Sequence, residues 1–135
     1  MTERQEELIG CLFHAFNQRD EEAIVELCSD EMEFYAVTAE EIGRSDPYRG
    51  IDGLHEYLAD VERVWEELLI TPSRVEQRGD RLLVLGRVYV RSRALGIRDV
   101  PVAWIWRLRG DTFVRGEVFA DPEVAVSRFA DSAAA

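Results

Sequence analysis

A chain of 135 residues with 47% hydrophobic content is long enough for one domain around one sizeable core, and too short for two. Its 27 acidic against 16 basic residues leave a formal charge of −11, which opposes attraction to a nucleic-acid backbone or an anionic membrane surface. Every basic residue is arginine, so Schiff-base chemistry on a lysine is excluded, and Cys11 and Cys28, without metal-ligand spacing, read as buried reduced thiols of a cytoplasmic protein.

The first stripe is Leu8, Leu12, Ala15 and Phe16, whose spacing predicts an amphipathic helix over residues 3–17. The N-terminus lacks the basic-then-apolar pattern of a signal peptide, and no apolar run reaches the roughly 18 residues of a membrane span. Asp20 is placed to cap a second, short helix running to about residue 28, with Glu21 and Glu22 in its first turn and Ala23, Ile24 and Leu27 buried. Residues 31–37 alternate as a strand does. Residues 38–49, with Gly43 and Pro47, read as a loop over an opening, where a mobile lid is expected.

From Gly50 a longer helix is predicted, capped by Asp52 and buried along Leu54, Leu58, Val61, Trp65 and Leu68. After Pro72 the chain turns to strands at 73–78, 82–94, 100–109 and 112–120, separated by Gly79-Asp80, Leu95-Gly96 and Gly110-Asp111. Asp121-Pro122 opens a last helical turn, and residues 131–135 read as a frayed tail. The order predicts a single α+β domain over residues 1–135, an antiparallel meander with helices covering one face.

Period-two alternation assigns the faces of that meander. Val102, Trp104, Trp106 and Leu108 share one side with Val84, Gly86, Val88, Val90, Val114, Gly116, Val118 and Ala120; the other side mixes Ala103, Ile105, Phe113 and Phe119 with arginines. Glycine and alanine opposite two indoles suggest uneven filling and hence a hollow. The alternative is that both tryptophans fill ordinary core, each worth roughly 1.5–3 kcal/mol of burial.

The helix opening YRGIDGLHEYL, the closing WIWRLRGDTFVRGEVFADPEVAV and the order of elements together resemble the SnoaL-like branch of the nuclear transport factor two-like superfamily, from about Glu6 to Phe129. The resemblance implies a cone: a curved, mostly antiparallel sheet wrapped round a long helix, with an apolar pocket between them. It also implies a homodimer through the outer sheet face, where Ala103, Ile105, Phe113 and Phe119 lie. The same cone hosts several chemistries, so positions must be tested one by one. Where ketosteroid isomerases of this superfamily carry their tyrosine and two aspartates, this chain has Leu12, Ala36 and Trp104. The aspartate base of SnoaL-type polyketide cyclases falls on Val118, one residue from Glu117. Of the arginine and two aspartates of limonene epoxide hydrolases, Arg87 matches the arginine, while Tyr89 and Val118 stand at the aspartates.

These positions lead to a small-molecule binding protein whose mainly apolar pocket is lined by Phe16, Phe34, Tyr57, Val88, Trp104, Trp106 and Val118, suited to a polycyclic, terpenoid or aromatic ligand, with no cofactor and no metal. The alternative is a cyclase-, isomerase- or epoxide hydrolase-like enzyme with Glu117, Asp46 or His14 as proton carrier, or a tyrosine among Tyr35, Tyr48 and Tyr57. A third reading is a dimerisation module with a filled cone. Against the enzyme, Glu33 and Glu117 alternate with apolar residues and suit cross-strand pairs with arginine, His14 suits a helix surface, and His55 suits solvent.

Overall fold

The computed structural model describes residues 3–36, 46–94 and 96–132. In chain order these form α1 (Glu3–Gln18), α2 (Glu21–Leu27), β1 (Cys28–Tyr35), β2 (Tyr48–Arg49), α3 (Gly50–Val64), β3 (Glu67–Arg78), β4 (Arg81–Ser92), β5 (Gly96–Arg109), β6 (Thr112–Phe119) and α4 (Pro122–Ser132). The strands make one curved, open sheet in the order β2-β1-β6-β5-β4-β3. Every neighbouring pair is antiparallel except β1 and β6, which run parallel.

Local chemistry sets the boundaries. The backbone N–H of Ala23 donates to Oδ1 of Asp20 at 3.2 Å, so Asp20 caps α2 as the sequence predicts. Gly79 and Gly110 take φ of +60° and +64° in the two-residue hairpin turns of β3–β4 and β5–β6, a region that only glycine enters at little cost. Asn17 acts as an extra strand residue: Ile70 donates its N–H to Oδ1 at 2.7 Å, and Nδ2 donates to the Ile70 carbonyl at 2.9 Å. This pins α1 to the edge strand β3 and satisfies backbone groups that an open edge would leave unpaired.

Several expectations need correction. The long helix stops at Val64; Trp65 is extended (φ −119°, ψ 129°), and Glu66 donates its N–H to the Arg91 carbonyl at 2.7 Å. Arg93 and Arg91 hold the carboxylates of Glu66 and Glu67, each at 2.7 Å. Sheet pairing therefore overrides helical periodicity, and Leu68 belongs to β3, which begins six residues before the predicted strand. β5 likewise begins at Gly96 rather than 100, β1 begins at Cys28, and the last helical turn is an eleven-residue helix. Asp52 lies in the first turn of α3, whose N-cap position is Arg49. Tyr48 and Arg49, read as loop, pair with β1, while Val37 of the predicted strand, residues 38–45 of the predicted lid and Leu95 lie outside the described residues.

The concave face of the sheet, with α1, α2 and α3, encloses the main core, and α4 packs on the convex face over Leu83, Ala103 and Phe119 with its own Ala125 and Phe129. Ala103 and Phe119 are thus already buried within the chain. Phe113 moves to the concave core because the β5–β6 register shifts between Arg107 and Leu108, bringing Leu108 opposite Phe113. Of the four apolar residues expected at an outer dimer face, two are covered there by α4 and one is in the concave core.

Across four strands, Leu82, Trp106, Gly116 and Phe34 sit in register as one row of the concave face. The Trp106 indole stacks on Phe34 (centroids 5.6 Å apart, planes 9° apart) and meets Phe113, Phe13 and Phe16 at 5.5, 6.0 and 6.3 Å. Its six-membered ring lies over Gly116, where a Cβ would overlap it. Gly116→Ala is accordingly expected to cost about 1–3 kcal/mol in urea unfolding, whereas Gly10→Ala, on an open face of α1, adds about 0.5–1 kcal/mol; equal stability of the Gly116 variant and the parent would contradict the packing. Burial pushes the Cys28 thiol up to about 12 from its ordinary 9.0. The unfolded chain then ionises first, so this contribution to stability is intact below about pH 9 and is lost as pH rises toward about 12. Cys11, expected to be buried, is exposed on α1, so a thiol reagent should label it in the native protein and Cys28 only on unfolding.

Candidate functional site

The aromatic row fills the sheet's concave face at one level, and the next rows toward the open end are lined by smaller side chains. Val84, Trp104 and Val118 form the first of these, followed by Gly86 with Val102, then Ile70, Val88 and Val100, then Leu68, Val90 and Arg98. Helix α3 contributes Tyr57, and Trp65 follows its last turn. Between these groups is a cavity of about 280 Å³, lined by Ala36, Tyr57, Trp65, Leu68, Ile70, Val88, Val90, Arg98, Val100, Val102, Trp104, Val118 and Ala120. That is at the small end of the range of about 300–1,000 Å³ for ligand sites, which favours a compact occupant.

The two indoles of β5 therefore have different surroundings. Trp104 is packed on one side against Phe13, with centroids 5.0 Å apart, and contributes to the cavity wall. Trp106 is fully enclosed, and its Nε1–H has no hydrogen-bond partner among the described residues. Of the seven residues predicted to bind a ligand, Tyr57, Val88, Trp104 and Val118 line the cavity, while Phe16, Phe34 and Trp106 form the packed cluster behind it. Tyr57 belongs to both, since its ring also meets Phe34 at 4.8 Å and Tyr48 at 5.3 Å.

Of the predicted proton carriers, Tyr57 lines this cavity, and Glu117, Asp46 and His14 lie away from it. Glu117 points from the convex face, where Arg115 and Arg128 each reach it at 3.1 Å. Asp46 and His14 are exposed and line none of it. Glu33 is paired to Arg49 at 2.8 Å and accepts a hydrogen bond from Tyr35 at 3.2 Å, on the same outer face. Tyr48 is buried and donates its hydroxyl to Oδ2 of Asp60 at 2.7 Å; Arg63 holds the other carboxylate oxygen. Arg87 is engaged with Asp99 at 3.0 Å on the convex side. Among the described residues lining the cavity there is no carboxylate and no imidazole. Ala36 and Trp104, the positions that the resemblance sets against the aspartates of ketosteroid isomerases, are both on its wall.

Sequence reasoning missed Trp65, Leu68, Ile70 and Arg98. The first two were assigned to a helix that ends sooner, and Ile70 was left in the connection between the two elements. Arg98 was detectable, because it continues the period-two series Trp104, Val102, Val100 once the strand is extended to Gly96. A second groove, on the outer face, is lined by Arg81, Arg107, Arg115, Glu117, Arg128 and Asp131 with Ile105 and Phe119. Its charges are largely matched, with Arg107 on Asp80 at 2.9 Å and Arg115 and Arg128 on Glu117.

Solved structures share the architecture. A nuclear transport factor two-like protein of unknown function from Burkholderia pseudomallei aligns with a TM-score of 0.80 at 16% identity, covering 93% of this chain and 97% of its own. TerC, co-crystallised with polyporic acid, aligns at 0.78 with 25% identity, covering 93% and 96%. A protein designated a SnoaL-like polyketide cyclase, from Shewanella denitrificans, aligns at 0.71 with 12% identity, covering 96% and 99%. No curated protein matches the chain. The family model of the SnoaL-like domain matches residues 11–116, most of the sheet together with the second half of α1, α2 and α3, and the chain belongs to that family.

Proposed function

We propose that this SnoaL-like protein binds a compact, largely apolar aromatic, terpenoid or polycyclic molecule in the cavity bounded by Tyr57, Trp65, Val88, Trp104 and Val118. The observation that carries the reading is the make-up of the walls: valines, leucine, isoleucine and two indoles on a rigid sheet, with a phenol for orientation. Such surfaces favour a planar apolar body, and the fixed backbone keeps the ordering cost of binding small. The co-crystallisation of TerC, 25% identical, with polyporic acid supports the same ligand class. A catalytic reading would run through Tyr57, the one residue with an ionisable hydroxyl among those lining the cavity. We also propose a homodimer through the part of the convex face that α4 leaves uncovered, where Leu69 and Tyr89 are in register and Ile97 is 65% exposed. Two unpaired cysteines support a cytoplasmic setting for it.

A thermal-shift panel of aromatic and polycyclic compounds tests the binding reading. At a hundredfold excess over Kd the expected stabilisation is about 2.7 kcal/mol, or about 10 °C in Tm for a domain of this size. Val118→Trp, which fills the cavity from β6, should remove the shift, while Glu117→Ala on the convex face should leave it unchanged. Absence of a shift across the panel, or an undiminished shift in Val118→Trp, would overturn the assignment. Sedimentation in the same buffers reads the dimer as twice the 15.5 kDa of one chain.

A further inference from the structure

One row of the convex face carries the same charge on four successive strands. Arg78, Arg81, Arg107 and Arg115 stand directly opposite one another across β3, β4, β5 and β6. Like charges so placed destabilise a sheet. Arg81, Arg107 and Arg115 line a groove of about 520 Å³ between the sheet and α4, together with Arg128 and the apolar Ile105 and Phe119. Glu117 and Asp131 are its carboxylates, which leaves an excess of two positive charges in a chain of formal charge −11. Including Arg78 and the turn residue Asp80 leaves the same excess.

Arg107 has Asp80 at 2.9 Å, while the single carboxylate of Glu117 answers both Arg115 and Arg128 at 3.1 Å. Arg81, half-buried between Arg78 and Arg107, makes no hydrogen bond or ion pair among the described residues. The Arg128 guanidinium lies over Phe119 at 5.3 Å and that of Arg78 over Phe129 at 5.7 Å, so ring faces hold the flanking arginines in place. A guanidinium presents its donors in a plane that meets two oxygens of one anion, and exposed pairs such as Arg107 with Asp80 are weak enough to exchange partners.

We infer that this groove is a second ligand site, separate from the apolar cavity, for a phosphate monoester of a small aromatic or aliphatic alcohol. The phosphoryl group is received between Arg81 and Arg107, and the organic part lies on Ile105 and Phe119. At pH 7 such an ester carries about two negative charges on three oxygens, which matches the excess charge and reaches guanidiniums on both strands. The groove is short and bounded by α4, which suits a small molecule better than an extended acidic peptide. It lies ten residues along β5 from Ile97 and so away from the dimer patch proposed above. The inference does not depend on the cavity being occupied.

The test is calorimetric titration of the full chain, at fixed ionic strength, with phenyl phosphate, inorganic phosphate and phenol. Phenyl phosphate should bind at one site per chain, about tenfold more tightly than phenol and several-fold more tightly than inorganic phosphate. Arg81→Gln should weaken it about tenfold, with a Tm equal to the parent's or higher because repulsion from Arg107 is relieved. Arg74→Gln, the same loss of charge at an exposed arginine of β3 paired to Glu76, should stay within about twofold of the parent. The indole N–H signal of Trp104, on the cavity wall, should not move in the NMR spectrum. Equal affinity for inorganic and phenyl phosphate would show a bare-anion site and overturn the inference, as would equal weakening by Arg74→Gln and Arg81→Gln, or weaker binding with a lowered Tm in Arg81→Gln. A Trp104 signal that moves would put the ligand in the apolar cavity instead. Binding of hexaglutamate without binding of phenyl phosphate would assign the groove to an acidic protein partner and overturn the inference too.

Discussion

The seating of one indole on a residue without a side chain organises the concave side of this domain. Trp106 can lie flat across the sheet only because its cross-strand partner on β6 is Gly116, and only then does its ring reach Phe34 on β1 for parallel stacking. The contact ties together strands that are distant in sequence and fixes the β5–β6 register at one point. A slip of one residue would send the ring to the outer face. Burying the indole N–H without a partner costs about 1–3 kcal/mol, and the contacts with four phenylalanines offset it.

That plug also creates the site. On its open side the rows carry valines beside the single indole of Trp104, and side chains from α3 and the segment after it leave a cavity between them. The wall is the continuation of the core into positions where the side chains become too small to meet. Polar chemistry is kept apart from it. Glu33, Glu117 and Asp99 on the strands and Asp80 in the β3–β4 turn are matched to arginines on the convex face. Solvent-exposed pairs of this kind contribute little energy individually, but they keep both charges away from the hollow.

Much of this was legible in the residues. The alternation of β4 and β5 placed Trp104 beside Val84 and Val118 correctly, because strand parity depends on nothing beyond the backbone. What parity could not give was depth: Trp104 and Trp106 share a face and differ only in what stands opposite, valine in one row and glycine with phenylalanine in the next. Phe113 was assigned to the wrong face because a register shift leaves no mark in the alternation of a single strand. Trp65 and Leu68 fit a helical stripe as well as any residues in the chain, and they became cavity wall because Arg91 and Arg93 draw the two glutamates between them into a sheet edge. The outer face was misjudged in the same way: Asp121-Pro122 announces a helix start, but nothing in the tail announces that the helix will lie on Ala103 and Phe119.

The division of the concave face into a sealed row and an open one is measured most directly by the indole N–H signals of the three tryptophans in a nitrogen-correlated NMR spectrum. Titration with an apolar aromatic probe should move the signals of Trp65 and Trp104 and leave that of Trp106 in place, with Trp106 also the slowest to exchange its proton for deuterium. A Trp106 signal that moves as far as the other two, or that exchanges as fast as they do, would show that the plug is not closed and would contradict the account.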